Sequence, residues 1–76
     1  VAIQTLRGLF GLTTAEARIA CGLIGGLSMA QIAARNDISR NTAYGHLKAV
    51  FGKVGVNQQS ALVSHVLGGL ASLGRG

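Results

Sequence analysis

Few side chains in this 76-residue chain could do covalent chemistry. The acids are Glu16 and Asp37, the histidines His46 and His65, and the one cysteine is Cys21. Nucleophilic or acid–base catalysis needs a reactive group beside its base, and these residues offer no such pair. The histidines are far apart and lack carboxylate or thiolate companions at ligand spacing, so no metal site and no cofactor is expected. A single cysteine makes no intrachain disulfide. Gly25-Gly26 follows an apolar segment and Gly68-Gly69 lies inside one, so neither is a loop set up to cradle phosphates. An enzyme is not expected. What remains is hydrogen bonding and positive charge, and both concentrate in "SRNTAYGHLKAVFGKVGV", Ser39 to Val56.

That stretch has the apolar rhythm of a helix. At about 100° per residue, Ala43, Leu47, Val50 and Val54 fall in one sector with Phe51 beside it, which makes a core stripe. Asn41, Tyr44, Gly45, Lys48 and Gly52 gather about 140° away. They resemble neither a core nor the Glu/Lys mixture of a solvated face. Thr42, His46, Ala49 and Lys53 form a third sector. The net charge is +5, and between Ser28 and Ser60 four basic residues face one acid, Asp37. Such an excess implies an anionic partner.

The elements that position this face are readable from their ends. The chain has no proline, and its apolar residues recur at three and four, so it reads as all-α. Thr13-Thr14-Ala15-Glu16 is a capping box, and Ser28-Met29-Ala30-Gln31 is a weaker one. Ser39 is a good N-cap. Gly25-Gly26 and Asn36-Asp37 suit helix ends, and Gly52 and Gly55 weaken the end of the next helix. Four helices are predicted, at about 14–24, 29–35, 40–54 and 58–73. Before them, Leu6, Leu9 and Phe10 suit a short turn of helix packed on the core. The whole is one domain over 1–76, with its core at about 12–72.

A short helix ending at Arg35, a tight turn through Asn36, Asp37 and Ile38, and a longer helix make the layout of a helix-turn-helix. Ala33 sits where the two helices meet, and Ile32, Ile38 and Leu47 fill the angle. In this layout the second helix enters the DNA major groove, which requires a leading surface without bulk. Gly45 lets the backbone approach the bases. Lys48 suits the O6/N7 edge of guanine. Asn41 suits adenine or a phosphate, and Tyr44 a thymine methyl or a phosphate. Free amides at the helix start, with Ser39, Arg40 and Asn41, suit a phosphate. Arg35 and Lys53 flank the surface and suit backbone contacts.

The sequence resembles the LuxR/FixJ-type helix-turn-helix of bacterial transcription regulators, from about Leu12 to Val66. The residues that carry the likeness are "LTTAEARIACGLIGGLSMAQIA", "ISRNTAYGHLKAVFGKVGV" and "QQSALV". The resemblance implies a four-helix domain without a wing, whose third helix reads the major groove. It places Tyr44, Gly45 and Lys48 at base-reading positions, and Ser39, Arg40, Asn41, Thr42 and Lys53 at or beside phosphate-facing ones. It makes Glu16 structural, capping the first helix and pairing with a nearby Arg. It makes His46 a packing and hydrogen-bonding residue. A basic residue is common in the family where Tyr44 stands, Val where Ala43 stands, and an apolar residue where Asn36 stands. The promoter-recognition domain of a sigma factor shares the layout, but the "GLS…IA…IS…T…HL…K.GV" pattern favours a regulator. A helical protein-interaction module is the rival that binds no DNA.

The last predicted helix carries two apolar stripes: Leu62, Val66, Leu70 and Leu73, then Val63, Leu67 and Ala71. One suffices for a core, so the second suggests a homodimer face or, as the alternative, the seat of a further domain. The partners expected are double-stranded DNA, a second copy of the chain and, as a further candidate, RNA polymerase. No stretch reaches the roughly 18 apolar residues of a membrane span, and Val1–Phe10 lacks a signal-peptide layout, so a cytoplasmic protein is expected. Val1 in place of an initiator Met suggests a processed chain or the C-terminal fragment of a longer regulator.

Overall fold

The computed structural model describes residues 2–74, with side chains through Gly69. Five α-helices and no strand occur among the described residues: α1 (Ile3–Phe10), α2 (Thr14–Ile24), α3 (Met29–Arg35), α4 (Arg40–Val54) and α5 (Gln59–Gly74). The last four are the predicted helices to within a residue. The difference is α1, which runs to eight residues instead of a short turn. Leu6 explains it: its side chain is fully buried, whereas Leu9, also expected inside, is exposed. None of the helices is long and apolar enough to cross a membrane.

The helix starts are chemical. Thr13 Oγ1 accepts from the Glu16 amide at 3.2 Å, and Glu16 Oε1 accepts from the Thr13 amide at 2.9 Å. Ser28 and Gln31 form the same reciprocal pair at 3.2 and 2.9 Å. Ser39 Oγ accepts from the Thr42 amide at 3.1 Å. Each start thus satisfies amides that have no partner inside the helix.

The stops are specific as well. Gly26, not Gly25, takes the left-handed conformation after α2, at φ +85°. After α3 the role falls to Asp37 at φ 55°, a non-glycine residue in a region that Asp tolerates better than most. Gly55, at φ +87°, ends α4, and its amide donates to Phe51 O at 2.8 Å. Gly52 stays inside the helix.

α2 is the hub: α1, α3, α4 and α5 all pack on it, and α3 also packs on α4. The core joins Leu6, Leu12, Ile19, Leu23, Met29, Ile32, Leu47, Val50, Leu62 and Val66 with the alanines Ala17, Ala20, Ala33 and Ala43. Small residues where helices cross let the axes approach, since interaxial distance follows the side chains at the contact. Gly22 extends this. A Cβ placed on it meets Ile32 Cγ1 at 2.6 Å and Cδ1 at 2.8 Å, closer than real side chains pack. Ile32 is almost wholly enclosed and has little room to retreat. On α5, Leu62 and Val66 are fully buried. The predicted Leu70 and Leu73 side chains lie outside the described residues.

Gly22→Ala therefore opposes a helix-propensity gain of about 1 kcal/mol with an overpacking cost of about 1–3 kcal/mol. The expected outcome in thermal or urea unfolding is a net loss of stability. That loss shrinks when Ile32→Val is added, because the two sites share one contact.

Candidate nucleic-acid interface

The turn between α3 and α4 is fixed by backbone bonds. The Asn36 amide donates to Ile32 O at 3.1 Å, the Asp37 amide to Ala34 O at 3.3 Å, and the Ile38 amide to Ala33 O at 3.0 Å. Asn36 Nδ2 adds a bond to Ile32 O at 2.8 Å. Ala33 is buried and Ile38 half-buried. The direction in which α4 leaves α3 is thus set by paired amides and enclosed side chains.

α4 then sorts its residues as the wheel requires. Ala43, Leu47 and Val50 are buried, with Phe51 and Val54 half-buried beside them. Asn41, Tyr44, Gly45, Lys48 and Gly52 are all exposed and form one continuous face. Tyr44 keeps half of its surface in solvent, at 50%. A Cβ placed on Gly45 or on Gly52 meets, beyond its own stretch of helix backbone, no atom of the described residues within 4 Å. Neither glycine has a positive φ. Nothing in the domain's own packing or backbone requires glycine there, although each costs an α-helix about 1 kcal/mol relative to Ala.

The N-terminal edge of this face carries Ser39, Arg40 and Thr42, all exposed. Ser39 Oγ also donates to Thr42 Oγ1 at 3.0 Å. These two hydroxyls are engaged with each other and with the cap, while Arg40, like Arg35 at the end of α3, projects without a protein partner among the described residues.

Lys53 is held. Its Nζ donates to Glu16 Oε1 at 2.6 Å, joining the end of α4 to the start of α2. Glu16 thus pairs with a lysine, where the resemblance implied an arginine. The Glu16 side chain is only 8% exposed and that of Lys53 is 39% exposed. The Lys53 hydrogen bond first, then the Thr13 amide, hold the Glu16 carboxyl below its ordinary value of 4.5, against the opposing effect of burial. His46 is half-buried and packs; no side-chain hydrogen bond joins it to another described residue.

The proposed dimer residues divide. Val63 is half-buried and packs on the domain's own core, whereas Leu67 is 48% exposed. Ala71 has its side chain outside the described residues. Phe10 of α1 meets His65 of α5, with ring centroids 5.9 Å apart. Among the described residues no group of His, Cys, Asp or Glu could hold a metal ion. Burial pushes the half-buried Cys21 thiol up.

The family model described as "Bacterial regulatory proteins, luxR family" matches residues 11–66, from the turn before α2 into α5. This chain belongs to the LuxR family. Its helix-turn-helix is that of a family of bacterial regulatory proteins. The LuxR-family chain is also 44% identical, over 59 residues, to "Probable transcriptional regulatory protein SgaR" of Hyphomicrobium methylovorum. That match covers 76% of this chain and 28% of the relative, so the chain spans under a third of its relative's length. No solved structure matches it significantly.

Two outcomes follow for the folded domain. Glu16 has a folded pKa below its unfolded one, so the stability it contributes is fully present above about pH 4.5 and is lost as pH falls through the lowered value. Glu16→Gln is expected to cost on the order of 1 kcal/mol at pH 7, and to flatten the acid limb of a stability-against-pH curve. Gly45→Ala should raise stability by about 0.5–1 kcal/mol, because its methyl group meets open space. Chemical unfolding measures both.

Proposed function

We propose that the exposed face of α4 enters the major groove of double-stranded DNA and reads its base edges. The observation that carries this reading is Gly45 and Gly52 on the open face. They weaken the helix, and no internal contact requires them. An external surface that comes very close to the backbone accounts for them, as a helix in a groove does. Lys48 reaches a guanine edge, and Asn41 an adenine edge or a phosphate. Tyr44 touches a thymine methyl or gives its hydroxyl to a phosphate. Arg35, Arg40 and the Ser39–Thr42 end of α4 hold backbone phosphates. Lys53 sits at the rim of the same surface. Its bond to Glu16 leaves it two donors, because an ammonium carries three.

The chain acts in this reading as the DNA-binding domain of a longer regulator, in keeping with the relative's greater length. It pairs with a second copy through α5, where Leu67 is a large apolar side chain left half in solvent. A symmetric pair reads two half-sites about one helical turn apart.

The test is selection of bound duplexes from a random library, in parallel for the wild type, Lys48→Ala and Gly45→Ala. The wild type should yield a motif, palindromic if the domain pairs. Lys48→Ala should degenerate one position of it, at a cost of about 1–3 kcal/mol. Gly45→Ala should bind the motif less tightly although it is the more stable protein. Arg40→Ala should weaken all duplexes alike. With four or five phosphates neutralised, the slope of log affinity against log salt should be about −4. Failure of the wild type to retain any duplex at low salt would refute the reading.

A further inference from the structure

The basic side chains differ in what they already hold. Arg7 Nε donates to Leu12 O and its Nη1 to Gln4 Oε1, both at 3.4 Å, and Lys53 is tied to Glu16. Arg18, Arg35, Arg40 and Lys48 have no hydrogen bond or ion pair among the described residues. The last three flank or occupy the open face of α4. Arg18 belongs to α2, far away in sequence, but the fold carries it to the same neighbourhood. Arg18, Ala15 and Ile19 line a hollow of about 90 Å³ whose other wall is Asn36 and Ile38 of the turn and His46 of α4.

His46 and Thr42 lie one helical turn apart on one stripe of α4, so the hollow borders the stripe that begins at the Ser39–Thr42 cap. Its polar groups are donors or can donate: the Arg18 guanidinium, the His46 ring and the second N–H of the Asn36 carboxamide, whose first is spent on Ile32 O. The nearby acids do not cancel them. Glu16 is turned to Thr13 and Lys53, and Asp37 is exposed in the turn but does not line the hollow.

We infer that Arg18 binds a backbone phosphate of the DNA that α4 reads, with His46 and Asn36 as the polar wall of its seat. This rests on the proposed DNA reading. It extends the interface from the helix-turn-helix to the preceding helix. It assigns to Arg18 a contact that fixes the register of the protein on the duplex and carries no base information.

The experiment is the salt dependence of binding for the wild type, Arg18→Ala, Arg18→Lys and Arg40→Ala, on the selected duplex and on one of scrambled sequence. Arg18 is exposed and alanine is a good helix former, so the variant should fold. If Arg18 neutralises one phosphate, Arg18→Ala makes the slope shallower by about 0.9, weakens both duplexes by the same factor, and leaves the selected motif unchanged. Arg18→Lys keeps most of the slope. A scan of single neutral methylphosphonates then finds one position that weakens the wild type and leaves Arg18→Ala unaffected. An unchanged slope in Arg18→Ala beside a shallower one in Arg40→Ala overturns the Arg18 contact while the DNA reading stands. Loss of all duplex binding by the wild type overturns both.

Discussion

The position of α4 depends on how closely α2, α3 and α4 can approach one another. Ala17, Ala20, Ala33 and Ala43 are buried with almost no exposure, and Gly22 leaves Ile32 the volume that a methyl group would take. Small residues contribute little apolar area each, so their value is geometric. They bring three helices near enough for Ile19, Leu23, Ile32, Leu47 and Val50 to share one core. A domain of this size buries only about 60% of its unfolded surface, so little stability is spare. It nevertheless keeps two glycines in the exposed face of α4, where alanine would hold the helix better. That combination of a tight interior and a deliberately bare face links the fold to the function.

The polar contacts reinforce the same geometry. Glu16 caps α2 and also takes the Lys53 ammonium, so one carboxylate orders a helix start and ties down the far end of α4. It is enclosed while its partner is partly in water, which keeps the pair from the full desolvation cost of a buried salt bridge. Arg40 and Lys48, earlier in α4, have no such tether to an acid among the described residues. Both are left open toward solvent, and so is Arg18 across the hollow from His46. Internally satisfied charge thus sits at the C-terminal end of the helix, and unsatisfied charge at its start and middle.

Much of this was legible in the sequence because it is local. The capping boxes at Thr13 and Ser28, the Ser39 cap and the 3.6-residue rhythm of Ala43, Leu47 and Val50 each lie within a few residues, and they marked α2, α3 and α4 closely. The exposed face was also legible, since periodicity alone puts Asn41, Tyr44, Gly45 and Lys48 together. What was missed depends on residues far apart in sequence. Glu16 and Lys53 are 37 positions apart, and no spacing rule names them as partners. Gly22 looks like a weak point in an amphipathic run until Ile32 of the next helix is set against it. Arg18 reads as an ordinary solvated residue until the turn folds back beside it. α1 was underestimated because its N-cap, Ala2, offers no side-chain bond to announce a start.

The central claim is that the open face of α4 is a surface for DNA. Amide chemical-shift mapping tests it most directly, with an isotope-labelled domain titrated with its selected duplex. The account predicts that the largest shifts fall on Arg40, Asn41, Tyr44, Gly45 and Lys48, with a smaller set at the α3–α4 turn and around Arg18. Shifts confined to α1 and α5, with the face of α4 unmoved at saturation, would contradict it.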